Sequence, residues 1–186
     1  MKEHHNFIQL LLNDPNVQWE PSLTVRRNEH LTVPGQISNQ LYWIESGALR
    51  AYFLSENQEQ TLRLGYPQSM IADLPSLLSG KPSEVHIQAL KKTTVKPLSK
   101  SALEKIIYSG EHHMRLYISM MEEFMVQQVD RELDILTTSP LERYQRCLNR
   151  SPQLFQHIPA RHIAAYLNMS EETLSRLKKN TPKQNS

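Results

Sequence analysis

IPARHIAAYLNMSEETLSRLKK, residues 158–179, encodes two short helices and the turn between them. Pro159 suits the first turn of a helix running to Leu167, because its fixed φ and missing N–H cost nothing there. Ile163 and Leu167 lie four apart, on one face. Asn168 then stands where a tight turn needs a left-handed residue, a conformation Asn tolerates better than most. Ser170 can cap the next helix, and Glu171 and Glu172 fall in its first turn, where the macrodipole favours acids. In that second helix Leu174 and Leu177 point one way. Glu171, Glu172, Ser175, Arg176 and Lys179 share the other, polar face. The spacing predicts a helix-turn-helix, and an ordinary helical hairpin with a solvated charged face fits it too.

Toward the N-terminus, Ser139-Pro140-Leu141-Glu142 fits a capping box, so a helix starts at residue 140. It ends near residues 149–152, since Pro152 disfavours helix through Ser151. Residues 111–137 contain no Pro or Gly, about 40 Å of helix if continuous. Met114, Ile118, Met121 and Met125, then Ile135, fall near a 3- and 4-residue repeat. Tyr117 and Phe124 lie alongside, and Gln128 and Glu132 interrupt the seam. A helix this long and this apolar points to pairing with a second copy of the chain.

Residues 99–108 predict a short helix stopped near Ser109-Gly110, and residues 6–12 another that ends before Asp14-Pro15. Between them, from about residue 21 to 98, the period changes to two. Leu49, Ala51 and Phe53 alternate with Arg50 and Tyr52, and Val85, Ile87 and Ala89 with Glu84, His86 and Gln88, as in half-buried strands. Pro34-Gly35, Ser46-Gly47, Ser55-Glu56-Asn57 and Ser79-Gly80 supply the turns. Many short strands joined this way predict a small antiparallel barrel or jelly roll, and an α+β chain overall. The expected division is a barrel with flanking helices over 1–110, a dimerisation helix over 111–137 and a helix-turn-helix domain over 138–186.

Lys and Arg total 21 and Asp and Glu 19, a net charge of +2 that hides an asymmetry. Residues 140–186 hold 8 basic and 3 acidic residues, residues 1–139 hold 13 and 16. Contact with a polyanion is expected at the C-terminal end. The apolar fraction of 39% suffices for a packed core. A lone cysteine, Cys147, excludes an internal disulfide and an all-cysteine metal site, and reads as a packed thiol. No apolar run approaches the roughly 20 residues that span a bilayer. MKEHHNFIQLLLNDPNV is too short and interrupted in its apolar stretch for a signal sequence, so a cytoplasmic protein with no membrane partner is expected. His4-His5 and His112-His113 lack i, i+4 spacing and read as surface histidines, and no metal site is expected. The absence of P-loop, G-x-S-x-G, H-E-x-x-H and G-x-G-x-x-G motifs argues against an enzyme.

The run IAAYLNMSEETLSRLKK resembles the C-terminal helix-turn-helix of the CRP/FNR family of bacterial transcription regulators, for which SxETLSR is a specific signature. LYWIESGALRAYF resembles the family's barrel strands, and GKPSEVHIQAL followed by TTVKPLS the strands that close the barrel. Barrel, long helix, hinge and helix-turn-helix also come in the family's order. The resemblance implies a cyclic-nucleotide-binding-like sensory barrel and a homodimer that binds double-stranded DNA at a roughly palindromic operator. RNA polymerase is a candidate further partner. Carried over by position, Glu172, Ser175 and Arg176 match base-reading residues. Arg can contact guanine O6 and N7 together, and a carboxylate can accept from cytosine N4. Ser175 and Lys179 can reach bases or phosphates, and Lys178 and Lys183 are candidate phosphate partners.

The resemblance also marks a departure. Family members that bind cyclic AMP carry a Gly-Glu-Leu step for the ribose and an Arg, followed by a small residue, that pairs with the phosphate. The nearest match here is Ala72-Asp73-Leu74. The arginine position falls near Ser83, beside Glu84, whose carboxylate would repel an anion, and no Arg lies between Arg63 and Arg115. These five residues mark the expected ligand pocket, yet cyclic AMP is not expected to bind it. No cofactor is expected, and the sequence names no effector. An iron–sulfur cluster needs several cysteines, and the His and Met residues give no discriminating pattern for a haem ligand. LFQHIP leaves little room for the strand pair that precedes the motif in longer relatives. A reading from another class is a ligand-binding or protein-docking module whose helix-turn-helix no longer reads DNA. The polar face at Glu172, Ser175 and Arg176 favours the regulator.

Overall fold

Period-2 patterning and tight turns build eight antiparallel strands in the computed structural model, which describes residues 2–56 and 58–180. They are β1 (Leu23–Val25), β2 (His30–Thr32), β3 (Gln40–Ser46), β4 (Leu49–Ser55), β5 (Gln58–Gly65), β6 (Met70–Ile71), β7 (His86–Ala89) and β8 (Thr93–Ser99). One sheet runs β1-β8-β3-β6 and the other β2-β7-β4-β5, the two layers of a jelly roll. Val25, Ile44, Leu49, Ala51, Ile87 and Val95 fill the space between them. Gly47 makes the β3–β4 turn possible twice over. Its φ is 99°, and a Cβ there would stand 2.3 Å from Thr93 Oγ1. That hydroxyl instead bonds both the N–H and the carbonyl of Ala48, at 3.0 and 3.1 Å.

Eight helices surround the barrel among the described residues: α1 (Lys2–Asn13), α2 (Leu74–Ser79), α3 (Lys100–Ile107), α4 (Glu111–Leu136), α5 (Pro140–Arg150), α6 (Leu154–His157), α7 (Ala160–Tyr166) and α8 (Glu171–Asn180). α1 lies along α4, Phe7 meeting Tyr117 edge-on at 5.7 Å. Phe7, Leu11, Leu98, Leu103, Ile106 and Met120 form a second core there. α2 was not legible in the sequence; the Asp73 carboxylate caps it by accepting from the Ser76 N–H at 3.3 Å.

α4 packs Met120 inward and leaves a stripe of apolar side chains outside, namely Met114, Ile118, Met125, Val129, Leu133 and Leu136. Two expectations change here. Met121 is half-buried against the α1–α3 core instead of standing on the open seam. Val129 and Leu133 carry the stripe past Gln128 and Glu132, which were expected to break it. The Ser139 hydroxyl caps α5 by accepting from the Glu142 N–H at 3.3 Å. Pro159 stands one residue before α7, at its N-cap.

The helical domain is seated on the barrel. Tyr144, Cys147, Leu154, Ile163, Leu167 and Leu174 form a third core, and Ala48 and Leu90 of the barrel belong to it. Cys147 is buried there, its pKa pushed up to about 11 by burial. α7 runs beside β5, and in β4 Arg50 and Tyr52 are only 8% and 5% exposed, the Arg50 guanidinium lying over the Tyr52 ring. The alternation in β4 therefore marks a strand covered on both faces, where half-burial was expected. Among the described residues no helix is long and apolar enough to cross a membrane.

Candidate nucleic-acid interface

Local chemistry fixes the helix pair. Asn168 adopts φ 51°, the left-handed conformation that turns the chain between α7 and α8. The N–H groups of Asn168 and Met169 bond back to Ala165 and Ala164 at 3.1 and 3.0 Å, closing the end of α7. The Ser170 hydroxyl accepts from the Thr173 N–H at 3.1 Å and so caps α8. Leu174, with Ile163 and Leu167, is fully buried, which fixes the side of α8 that faces inward.

The hinge is held by arginines. Arg143 of α5 donates to the carbonyls of Thr137 and Thr138, at 2.6 and 3.4 Å, and of Asn168, at 3.1 Å. Asp134, 0% exposed near the end of α4, accepts from Arg146 Nε at 2.9 Å and Arg150 Nη2 at 2.5 Å. α4, α5 and the turn before α8 thus share one set of charge-assisted bonds.

On α8, Glu172, Ser175, Arg176, Lys178 and Lys179 are all exposed, with Lys178 one turn beyond the buried Leu174 and on its side of the helix. Among the described residues neither Glu172 nor Arg176 has a charged partner. Lys178 Nζ stands 5.6 Å from the Phe155 ring centroid. Lys183 lies outside the described residues. No strand follows β8 among them, so the helix pair has no flanking hairpin there.

The inner side of α7 carries residues that the sequence reading passed over. His162 is buried against the outer face of the β2-β7-β4-β5 sheet, and Arg161 Nε donates to its Nε2 at 3.0 Å. Burial, then Arg50 and Arg161, lower the His162 pKa to about 4. Arg50 makes a two-pronged bond to Glu59, at 2.5 and 2.9 Å, and also donates to Gln88 Oε1. Those bonds hold the Glu59 carboxyl below its usual range. Tyr52 stacks on His86 with centroids 4.7 Å apart and meets His30 Nε2 at 3.3 Å. The one available signal was Arg, Tyr and His at strand positions expected to face solvent.

A cavity of about 1290 Å³ lies between the barrel, α4 and the α5–α6 end of the helical domain. Of the five expected pocket residues, Ala72 and Leu74 line it. Asp73 is buried as the α2 cap. The Ser83 hydroxyl is occupied by the N–H and carbonyl of Val85, both at 2.9 Å. Glu84 is exposed and does not line the cavity.

Residues 22–109 match the cyclic nucleotide-binding domain family. FixK2 from Bradyrhizobium japonicum superposes with a TM-score of 0.72 at 22% identity, over 86% of this chain and 82% of its own. The fold is that of the CRP/FNR-type structures. A CooA mutant from Carboxydothermus hydrogenoformans gives a TM-score of 0.69 at 14% identity, over 94% and 83% of the two chains. The catabolite activator protein of Thermus thermophilus gives 0.52 at 20%, over 96% and 81%. No curated protein matches the sequence.

Proposed function

We propose that the chain is a homodimeric, sequence-specific DNA-binding transcription regulator of the CRP/FNR type, cytoplasmic and without catalytic activity. One observation carries the reading: Glu172, Ser175 and Arg176 stand exposed on the second helix of the pair, without a charged partner among the described residues, and Lys178 and Lys179 are exposed on the same helix. Inserted in a major groove, Arg176 donates two bonds to guanine, while the lysines meet phosphates. A two-fold dimer presents two such helices about 34–36 Å apart, to a roughly palindromic operator. RNA polymerase is a candidate partner of the bound dimer, and cyclic AMP is not its effector.

Selection of bound fragments from random DNA, followed by gel shifts on operator variants, tests the reading. Arg176→Ala relaxes base preference at one symmetric position, by about 1–3 kcal/mol per half-site. Lys178→Ala weakens all sequences alike and lowers the salt slope. If selection yields no consensus, the chain is instead a docking module. If Arg176→Ala weakens every variant equally, Arg176 is not a base reader.

A further inference from the structure

Between α4 and the helix pair the chain runs through residues 137–139 and then α5. So short a link leaves the recognition helix free to swing unless α5 is pinned. α5 carries Arg143, Arg146 and Arg150 at i, i+3 and i+7, on one face of the helix. Arg146 and Arg150 reach back to α4, where they bond the Asp134 carboxylate, one to each oxygen. Arg146 also stands 3.9 Å from Asp130, one turn earlier on α4. Arg143 reaches forward, to the Asn168 carbonyl in the turn before α8, and α8 packs on α5 as well. α5 is therefore held from both sides, by α4 behind it and by the helix pair ahead.

The Asp134 side chain is wholly buried, whereas those of Arg146 and Arg150 keep some contact with water. Taking a carboxylate out of water is costly, and apolar groups of the same volume often hold two helices together as well or better. What the ion pairs add is direction. Two charge-assisted bonds, one to each carboxylate oxygen, fix both the separation and the rotation of α5 on α4. We infer that Asp134, through Arg146 and Arg150, is the positioning residue that sets the spacing of the two half-sites the dimer accepts. The inference rests on the DNA-binding reading and adds to it a source of specificity that touches no base. With the two α4 helices paired about a two-fold axis, any rotation of α5 on α4 moves the two recognition helices symmetrically. One added base pair shifts a half-site by about 3.4 Å along the duplex and by roughly 35° around it. A pinned mount cannot follow that change, and a loose one can.

Selection from random DNA with the full chain gives the wild-type half-sites and their spacing. Gel shifts then follow on that operator with base pairs added or removed between the half-sites. Wild type loses about tenfold in affinity for each base pair of change, the cost of deforming DNA to bridge the mismatch. Asp134→Asn keeps the shape of the side chain and removes its charge. It narrows that loss to about threefold or less, with affinity for a single half-site and preference at the Arg176 guanine unchanged. Asp134→Leu combined with Arg146→Met and Arg150→Met fills the same space with apolar groups. This triple variant keeps the thermal midpoint and also accepts the altered spacings, and it decides the matter where Asp134→Asn does not fold. The inference alone is overturned if the wild-type spacing preference survives in the variants. It is also overturned if they weaken every spacing alike, the mark of a merely structural contact, or if wild type selects half-sites but tolerates every spacing. A wild-type chain that selects no consensus overturns the DNA-binding reading, and this inference with it.

Discussion

The guanidinium of Arg143 donates to the carbonyl of Asn168 at 3.1 Å, across 25 residues of sequence. The same side chain donates to Thr137 O at 2.6 Å, so one guanidinium ties the hinge after α4 to the turn before α8. Carbonyls buried at such turns need partners, and a charged donor is roughly twice as strong a partner as a neutral one. The direction of α8 is therefore set from the hinge as well as from its leucine contacts.

Arg143→Met leaves those carbonyls without their donor. It is expected to lower stability by about 2–3 kcal/mol, the usual range for losing bonds to a charged group. Urea unfolding measures this, and Arg143→Lys should recover part of the loss. A Met variant as stable as wild type would show that the hinge is held by Asp134 with Arg146 and Arg150 alone.

What the sequence disclosed was local. The Gly47 turn, the Ser139 and Ser170 caps and left-handed Asn168 depend on neighbours within a few residues, and each reads in one dimension. The exposed face of α8 was legible for a related reason, since Leu174 and Leu177 fix which side is buried. The missed features are long-range or short. Arg50 is bound by Glu59 and Gln88 of the neighbouring strands and lies over Tyr52, which alternation within β4 cannot register. α2 is six residues long and too short for periodicity. An apolar repeat on α4 does not say which positions meet the chain's own core, so Met121 was placed on the wrong face.

Dimerisation is expected through the open stripe of α4, on which Met125 is 66% and Leu136 77% exposed. Met125→Glu with Val129→Glu puts two charges in the seam and should give a folded monomer in sedimentation velocity at micromolar concentration. Met121→Glu should instead lower thermal stability, because that side chain packs on the α1–α3 core. A wild-type chain that sediments as a folded monomer would remove the dimer from the reading.

Cyclic AMP is expected to give no saturable heat at 0.15 M salt. Asp73 is committed to the α2 cap and Ser83 to Val85, leaving no ribose or phosphate anchor at the matching positions. Micromolar binding that Asp73→Ala abolishes would show that the pocket still works as in cyclic-AMP-binding relatives.

Acid should loosen the seat of α7 on the barrel, and His162 gives the sign. Arg161 Nε donates to its Nε2, so in the folded chain that nitrogen is an acceptor and the ring is neutral. Around it stand Arg50 of β4, Glu59 of β5, Arg27 and Arg161, and only Glu59 favours the charged ring. Burial and the arginines hold the folded pKa at about 4, against 6.5 for a free imidazole. Between those values the unfolded or unseated chain binds the extra proton, so stability rises with pH across the window. The contribution is complete above pH 6.5 and lost as pH falls toward 4. At about 1.4 kcal/mol per pH unit it reaches at most about 3.5 kcal/mol. His30, whose pKa burial and His86 also lower, acts in the same direction. The urea midpoint of wild type should therefore fall between pH 7 and 4.5, and His162→Gln should flatten that slope. A variant that follows wild type across the whole window would place the acid sensitivity elsewhere, with His30 the next group to replace.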